Sequence, residues 1–376
     1  MNTFIPPFCS NPACKHHHPS PKSAYSAFER WGFYETRTFG RVPRFRCTNC
    51  GTTFSRQTFR VDYWLKRVYD YTDLTERLAS CSSIRALGRA YHVAGKSIQN
   101  RIGRAARQVI AMEKRLSCCR KPKEDLVADG FESFCVSQYY PNNIHLLVGA
   151  TSQFVYAADY ATIRRKGTMT GEQKTKREQL ELRYRADPQG LCHSFFRILE
   201  ASYAVLAEGG RASLTLWTDQ KREYRRSLSL SDCATGLSAS GRLVHRTISS
   251  RIPRSRWNPL FPVNYLDREL RKDLHEHVRE TVCFGRNVNA QMERLSLYLY
   301  FHNYCKAHRS RGAPQPNALL AGYAPPFIAA ERKRLWAWRA WHSHLDLDSC
   351  SEDTWMRARQ TPLKEGKDYL PKHVTV

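Results

Sequence analysis

Acidic residues are scarce in this chain: 34 Asp and Glu stand against 60 Lys and Arg, a formal net charge of +26 over 376 residues. A surplus of that size points to a large polyanion as partner, and nucleic acid is the commonest one. Long apolar runs are missing as well. The longest, such as residues 144–150, fall far short of the roughly 20 residues that a membrane-crossing helix needs, so a membrane partner is excluded. Residues 1–8 carry neither a basic n-region nor a long apolar h-region, so no export signal is expected. The expected location is therefore cytoplasmic, on the nucleoid. No internal repeat is visible. Composition still allows a core, with 41% hydrophobic and 12% aromatic residues, and wholesale disorder is not expected.

Cysteine is plentiful, at 13 residues, and an odd count fits a closed disulfide framework poorly. Without an export signal these thiols read as reduced. Four of them pair by spacing, Cys9 with Cys14 and Cys47 with Cys50. Tetrahedral Zn²⁺ takes four thiolate or imidazole ligands, and two tight turns bearing cysteine pairs deliver them. Gly51 suits the close turn after the second pair. The expectation is a zinc ribbon over residues 1–60 holding one structural Zn²⁺ through Cys9, Cys14, Cys47 and Cys50. The run His16-His17-His18 is adjacent in sequence and cannot all face one ion.

Residues 61–112 read as a helix-turn-helix DNA-binding domain. Leu74 and Leu78 mark one helix, residues 83–90 a second, and a glycine-bearing turn leads to a third on which Ile98 and Ile102 share the buried face. Lys96, Gln99, Asn100 and Arg104 are then expected to meet DNA, since Gln and Asn can pair bidentately with adenine. Residues 113–124 read as a polar, basic linker.

From residue 125 the pattern changes to short β runs, at 126–128, 144–150, 154–160 and 213–218, with helical stretches at 171–186 and 193–208 between them. The class is mixed α/β. Residues 227–256 read as Ser/Arg-rich loop with one short strand near 243–245. Two longer helices are expected near 263–283, on an apolar stripe through 266, 270, 274, 278 and 282, and near 288–305. The tail, 324–376, holds Trp336, Trp338, Trp341 and Trp355, for which packing is the expected role. The basic stretches 174–185 and 225–256 offer phosphate contacts.

Asp129 closes the run Leu126-Val127-Ala128, and Asp219 closes Leu214-Thr215-Leu216-Trp217-Thr218. Neighbouring strands can present two such carboxylates to one metal pair, with a third acid from a following helix. Mg²⁺ prefers hard oxygen ligands, and paired ions activate the attacking oxygen and support the leaving one in phosphodiester chemistry. Two aspartates alone are a weak signal.

The segments Ala128-Asp129-Gly130-Phe131-Glu132-Ser133-Phe134, Arg164-Arg165-Lys166-Gly167-Thr168-Met169-Thr170, Thr218-Asp219-Gln220, Phe284-Gly285-Arg286-Asn287 and His302-Asn303-Tyr304 together resemble DDE transposases of bacterial insertion sequences. The resemblance runs from about residue 9 to 322. It implies a ribonuclease H-like catalytic domain, a mixed sheet with flanking helices, over residues 125–323. It further implies Mg²⁺- or Mn²⁺-dependent cleavage and strand transfer on double-stranded DNA, both element ends and target, by a homo-oligomer in the DNA complex. Asp129 and Asp219 match the first two acids. For the third, Asn264-Tyr265-Leu266-Asp267 occupies the place where the family often carries Asn-x-x-Glu, so Asp267 would make the triad DDD. Glu293 is the competitor, and Glu269 or Glu280 are the remaining choices. The alternative function is a sequence-specific DNA-binding regulator, catalytically inactive or domesticated, and the carboxylates alone separate it from the enzyme.

Overall fold

The computed structural model describes residues 4–18, 26–278, 281–309, 314–342, 347–366 and 368–370. Near the N-terminus, β1 (Phe28–Thr36), β2 (Gly40–Cys47) and β3 (Thr53–Ser55) form an antiparallel sheet in the order β1-β2-β3. Its apolar residues Phe45, Phe54 and Phe59 gather around Cys9, Cys14 and Cys47 in a small separate core. A domain this small buries too little surface to be stable on packing alone and needs a further staple.

Three helices follow, α1 (Tyr71–Leu78), α2 (Ile84–Ala90) and α3 (Gly95–Ser117). Asp70 caps α1 by accepting from the amides of Thr72 and Asp73, and Ser83 caps α2 through Ala86. The stripe begun by Ile98 and Ile102 continues through Ala105, Val109, Met112 and Leu116, all buried. Helix α3 therefore runs well into the segment expected to be linker. Glu113 explains why: it accepts from Arg120, Tyr304 and Tyr323, which fastens this stretch to the body of the protein.

The second sheet comprises β4 (Leu126–Phe134), β5 (Pro141–Gly149), β6 (Val155–Thr162), β7 (Leu214–Asp219) and β8 (Leu243–Ile248), in the order β6-β5-β4-β7-β8. Only β5 runs against its neighbours; β4, β7 and β8 are mutually parallel. Between β6 and β7 lie α4 (Gly171–Glu181) and α5 (Gly190–Gly209), and between β7 and β8 lie α6 (Arg222–Leu230) and α7 (Asp232–Ala239). After the sheet come α8 (Phe261–Asp273), α9 (Val288–Tyr300) with a π turn over Phe301–Cys305, α10 (Asn317–Leu320), α11 (Pro325–Leu335) and α12 (Ser349–Trp355). The expected class, mixed α/β with a mixed sheet and flanking helices, is what forms. His145 of β5 meets Ser194 of α5, whereas Phe131 of β4 meets Arg271 of α8. Because Gly130↔His145 and Phe131↔Ile144 are successive cross-strand pairs, α5 and α8 cover opposite faces.

Two expectations need correction. Residues 227–256 are not mostly loop, because their serines serve helices: Ser227 donates to the carbonyls of Cys192 and Glu223, and Ser231 caps α7 through the amide of Ala234. The helix expected to reach 283 stops at Asp273. The Asp273 carbonyl accepts from the Cys81 amide at 2.8 Å instead of from a later helical N–H. Leu274 then turns into the core in extended backbone, and Val282 is left 86% exposed. The apolar spacing beyond 274 was coincidental. His275 and His277 consequently follow the helix rather than lie on it, and His277 is buried against Ser133.

Candidate functional site

Four sulfur atoms come together at the N-terminus. The Sγ atoms of Cys9, Cys14, Cys47 and Cys50 all lie within 4.8 Å of one another. Cys9 and Cys50 are 3.5 Å apart, and Cys14 and Cys47 are 3.7 Å apart. Zn–S bonds of about 2.3 Å in a tetrahedron require sulfurs about 3.8 Å apart, so these residues can hold a metal ion such as zinc. Donors around them favour thiolate: Asn11 N–H to Cys9 at 3.4 Å, His16 N–H to Cys14 at 3.4 Å, and Asn49 Nδ2 to Cys14 at 3.2 Å. Gly51 closes the turn at φ +71°, as expected of a glycine there. Burial pushes the Cys9 thiol up, which a bound cation would reverse. His17 is spent on the Cys9 carbonyl, and His16 Nδ1 lies 3.5 Å from Cys47 Sγ beside a set of four thiols already assembled.

The second site is built on β4, β7 and α8. The parallel register pairs Leu126 with Leu216 and Val127 with Trp217. Carried on by two residues, it sets Asp129 beside Asp219. Gly130 lets Asn143 lie across this point, since a Cβ there would fall 2.2 Å from the Asn143 amide. Asp129 Oδ1 accepts from the Gly130 amide at 2.7 Å and from Tyr224 Oη at 3.2 Å. Lys221 Nζ stands between the two acids, 3.3 Å from Asp129 and 3.7 Å from Asp219. Asp219 also accepts from the Lys221 amide at 3.0 Å, which fixes the turn into α6.

Asp267 comes in from α8. Burial first, and the Asp129 charge second, raise its carboxyl to about 7. Burial and Asp129 also raise Asp219. Asp267 Oδ1 is buried without a hydrogen-bond partner. Three carboxylates thus share one neighbourhood and repel one another, yet their oxygens do not converge as closely as the sulfurs do: among the described residues, the four cysteines are the group of three or more ligands within 4.8 Å. The donor set is entirely hard oxygen, a cation already lies between two of its members, and one buried oxygen is unpartnered. Hard oxygen is the donor type that Mg²⁺ takes. Beside them, Arg254 donates to Asn264 Oδ1 at 2.8 Å from the loop before α8.

The competing acids lie elsewhere. Glu293 of α9 is 1% exposed and accepts from Arg107 at 3.2 Å, Arg357 at 2.7 Å and Gln99 at 3.3 Å, all from α3 or the tail. It anchors helix packing. Glu269 pairs with Lys272 and Lys306. Glu280 lies outside the described residues.

Among the expected DNA readers, Lys96 and Asn100 are exposed near the start of α3. Gln99 is taken up by Glu293 and Arg294, and Arg104 donates to the carbonyls of Val61 and Tyr63 at 3.1 and 2.9 Å. Half of that set is therefore occupied inside the protein. Lys221 and Tyr224 escaped the sequence reading. The only available signal was a lysine two residues after an acid at a strand end. Asn303, by contrast, packs as a side-chain bridge, its amide bonding both backbone groups of Val155 at 2.9 Å. No protein-family model matches the chain, and no curated protein matches it.

Proposed function

We propose that this protein is a DDE-type DNA transposase, with a DDD set of acids, that cleaves and joins DNA strands at the ends of an insertion sequence. The observation that carries the reading is the placement of Asp129 and Asp219 side by side on parallel strands, with the Asp267 carboxylate, one of its oxygens buried and unpartnered, entering from a helix. A mixed sheet flanked by helices is the architecture that a ribonuclease H-like core requires. The net charge of +26 suits a DNA partner. On this reading the thiolate cluster holds structural Zn²⁺, α2 and α3 act as a helix-turn-helix, and the protein works on the nucleoid as an oligomer assembled on its DNA ends.

Asp129, Asp219 and Asp267 would hold the divalent ions, which when bound activate water or a 3′-hydroxyl and balance charge on the departing oxygen. The protein supplies the rest. Tyr224 and the Gly130 amide orient Asp129, and the Lys221 amide orients Asp219. Arg254, held by Asn264, stands where it can receive a phosphate. Lys221 keeps the two strand acids from driving each other apart.

Asp129→Asn, Asp219→Asn and Asp267→Asn should each abolish strand cleavage and leave mobility-shift binding intact, whereas Glu293→Gln should still cut if it folds. A Glu293→Gln protein that binds but does not cut, beside an active Asp267→Asn, would reassign the third acid. The Lys221 ammonium between the carboxylates is the one observation that suits the regulator reading. Normal cutting by both the Asp129 and Asp219 variants would overturn the assignment of these acids, and no cutting by the wild type would leave only the regulator reading.

A further inference from the structure

Strand β1 is the free edge of the N-terminal sheet, and its side chains are largely uncovered. Trp31 is 45% exposed and Phe33 is 51% exposed, on a strand where large apolar residues normally turn inward. Residues 28–47 carry five arginines against two glutamates. Of these, Arg46 lies 3.9 Å from Glu29, while Arg30, Arg37, Arg41 and Arg44 have no carboxylate partner within 4.0 Å among the described residues. The rings organise the charges. The Arg41 guanidinium sits 3.4 Å from the Phe33 centroid and that of Arg46 sits 4.7 Å from Trp31. Each stack holds a cation in place without neutralising it.

Three occupants compete for such a surface. A second strand would need a straight edge, but β1 is bulged between Arg30 and Phe33, with Gly32 at φ +77°. Bulges and charges are how proteins prevent edge pairing. Single-stranded nucleic acid would need open ring faces for its bases, and guanidiniums already cover a face of both rings. A duplex backbone needs only fixed cations, which is what the strand presents.

We propose that the exposed edge of β1 and the turn from β1 into β2, through Arg30, Arg37 and Arg41, are a second contact on duplex DNA, gripping phosphates independently of α3. This rests on the reading of DNA as partner and not on the cleavage chemistry. The test uses the full chain and a labelled duplex of unrelated sequence, with affinity measured against salt. Each neutralised phosphate contributes about 0.9 to the slope of log K against log[salt], so the triple variant Arg30→Ala/Arg37→Ala/Arg41→Ala should flatten that slope by about 2 to 3 and weaken binding roughly tenfold or more. Its circular dichroism should match the wild type, since all three side chains are exposed. The control replaces Lys121, Lys123 and Lys333, equally exposed, by alanine. An unchanged slope in the arginine variant overturns the proposal, and so does an equal loss in the lysine control. A larger loss on single-stranded than on duplex DNA overturns the choice of ligand. If the wild type does not bind duplex at all, the DNA reading falls and takes the proposal with it.

Discussion

Asp267 is buried with one carboxylate oxygen unpartnered, and it lies in the field of Asp129. Its folded value, about 7, stands above the roughly 3.9 of an unfolded aspartate. Between those values the folded chain keeps a proton that the unfolded chain has lost. Its contribution to stability is thus complete below about pH 4 and is lost as the pH rises through about 7. Asp267→Asn removes the titration. In chelator, the variant should gain on the wild type by on the order of 3 kcal/mol between pH 4 and pH 8. Denaturant unfolding at both pH values measures this, and a pH-independent difference would contradict it. Glu293 makes the opposite case. Its two arginines, Arg107 and Arg357, would be left with a neutral partner in Glu293→Gln. Breaking a buried pair costs about 3–5 kcal/mol, so this variant should unfold far earlier at neutral pH. Divalent-metal stabilisation should still appear in it, because Glu293 bonds to α3 and the tail rather than to the strand acids.

At the scale of elements, the four-cysteine cluster sits in a sheet whose core is little more than three phenylalanines and the cysteines themselves. The purified protein should contain one zinc per chain by metal analysis, and Cys47→Ser should release it and melt the sheet. A chelated protein with unchanged near-ultraviolet dichroism would count against the metal. Helix α3 allows a finer test. Asn100→Ala should lower selectivity among duplexes by about 1–3 kcal/mol, while Lys96→Ala should weaken all duplexes alike. Gln99→Ala should instead cost stability, because its amide bridges α3 to Glu293 and Arg294. These assignments show what the sequence could reveal. Local signals were legible: cysteine spacing, the Ile98 and Ile102 stripe, and the strand that ends in Asp219; Asp129, expected to close its run, instead lies inside β4, which continues to Phe134. Long-range partners were not. Nothing local distinguishes Gln99 and Arg104 from Asn100, and the end of α8 depends on an amide nearly 200 residues earlier in the chain, that of Cys81. Serine-rich composition misled for a related reason, since Ser227 and Ser231 work as a bridge and a cap only where α5 and α7 exist to use them.

For the whole molecule, the C-terminal tail decides whether these parts act as one body. Its tryptophans do pack, and they pack across units. Trp336 stacks on Tyr71 at 5.4 Å and meets Tyr300 at 6.0 Å, while Trp341 meets Phe8 at 5.1 Å beside the thiolate cluster. Further on, the Trp355 carbonyl accepts from Arg107 of α3, and Arg359 bonds Asp159 of β6 at 2.7 Å and exchanges backbone bonds with the Asn289 amide of α9. Arg357 supplies the second cation on Glu293. A chain ending at residue 346 would therefore strip partners from Asp159, Asn289, Arg107 and Glu293 at once, all of them buried. Unpaired buried polar groups cost about 1–3 kcal/mol each, and more when charged. The truncated protein should lose several kcal/mol, a large part of the 5–15 kcal/mol typical of a folded chain. Arg359→Ala alone should lose less, because Arg197 still lies 3.5 Å from Asp159. Denaturant unfolding of the two variants beside the full chain gives the comparison. If truncation costs no more than Arg359→Ala, the tail is an ornament on a body that stands without it, and the ion pairs it completes contribute little to stability.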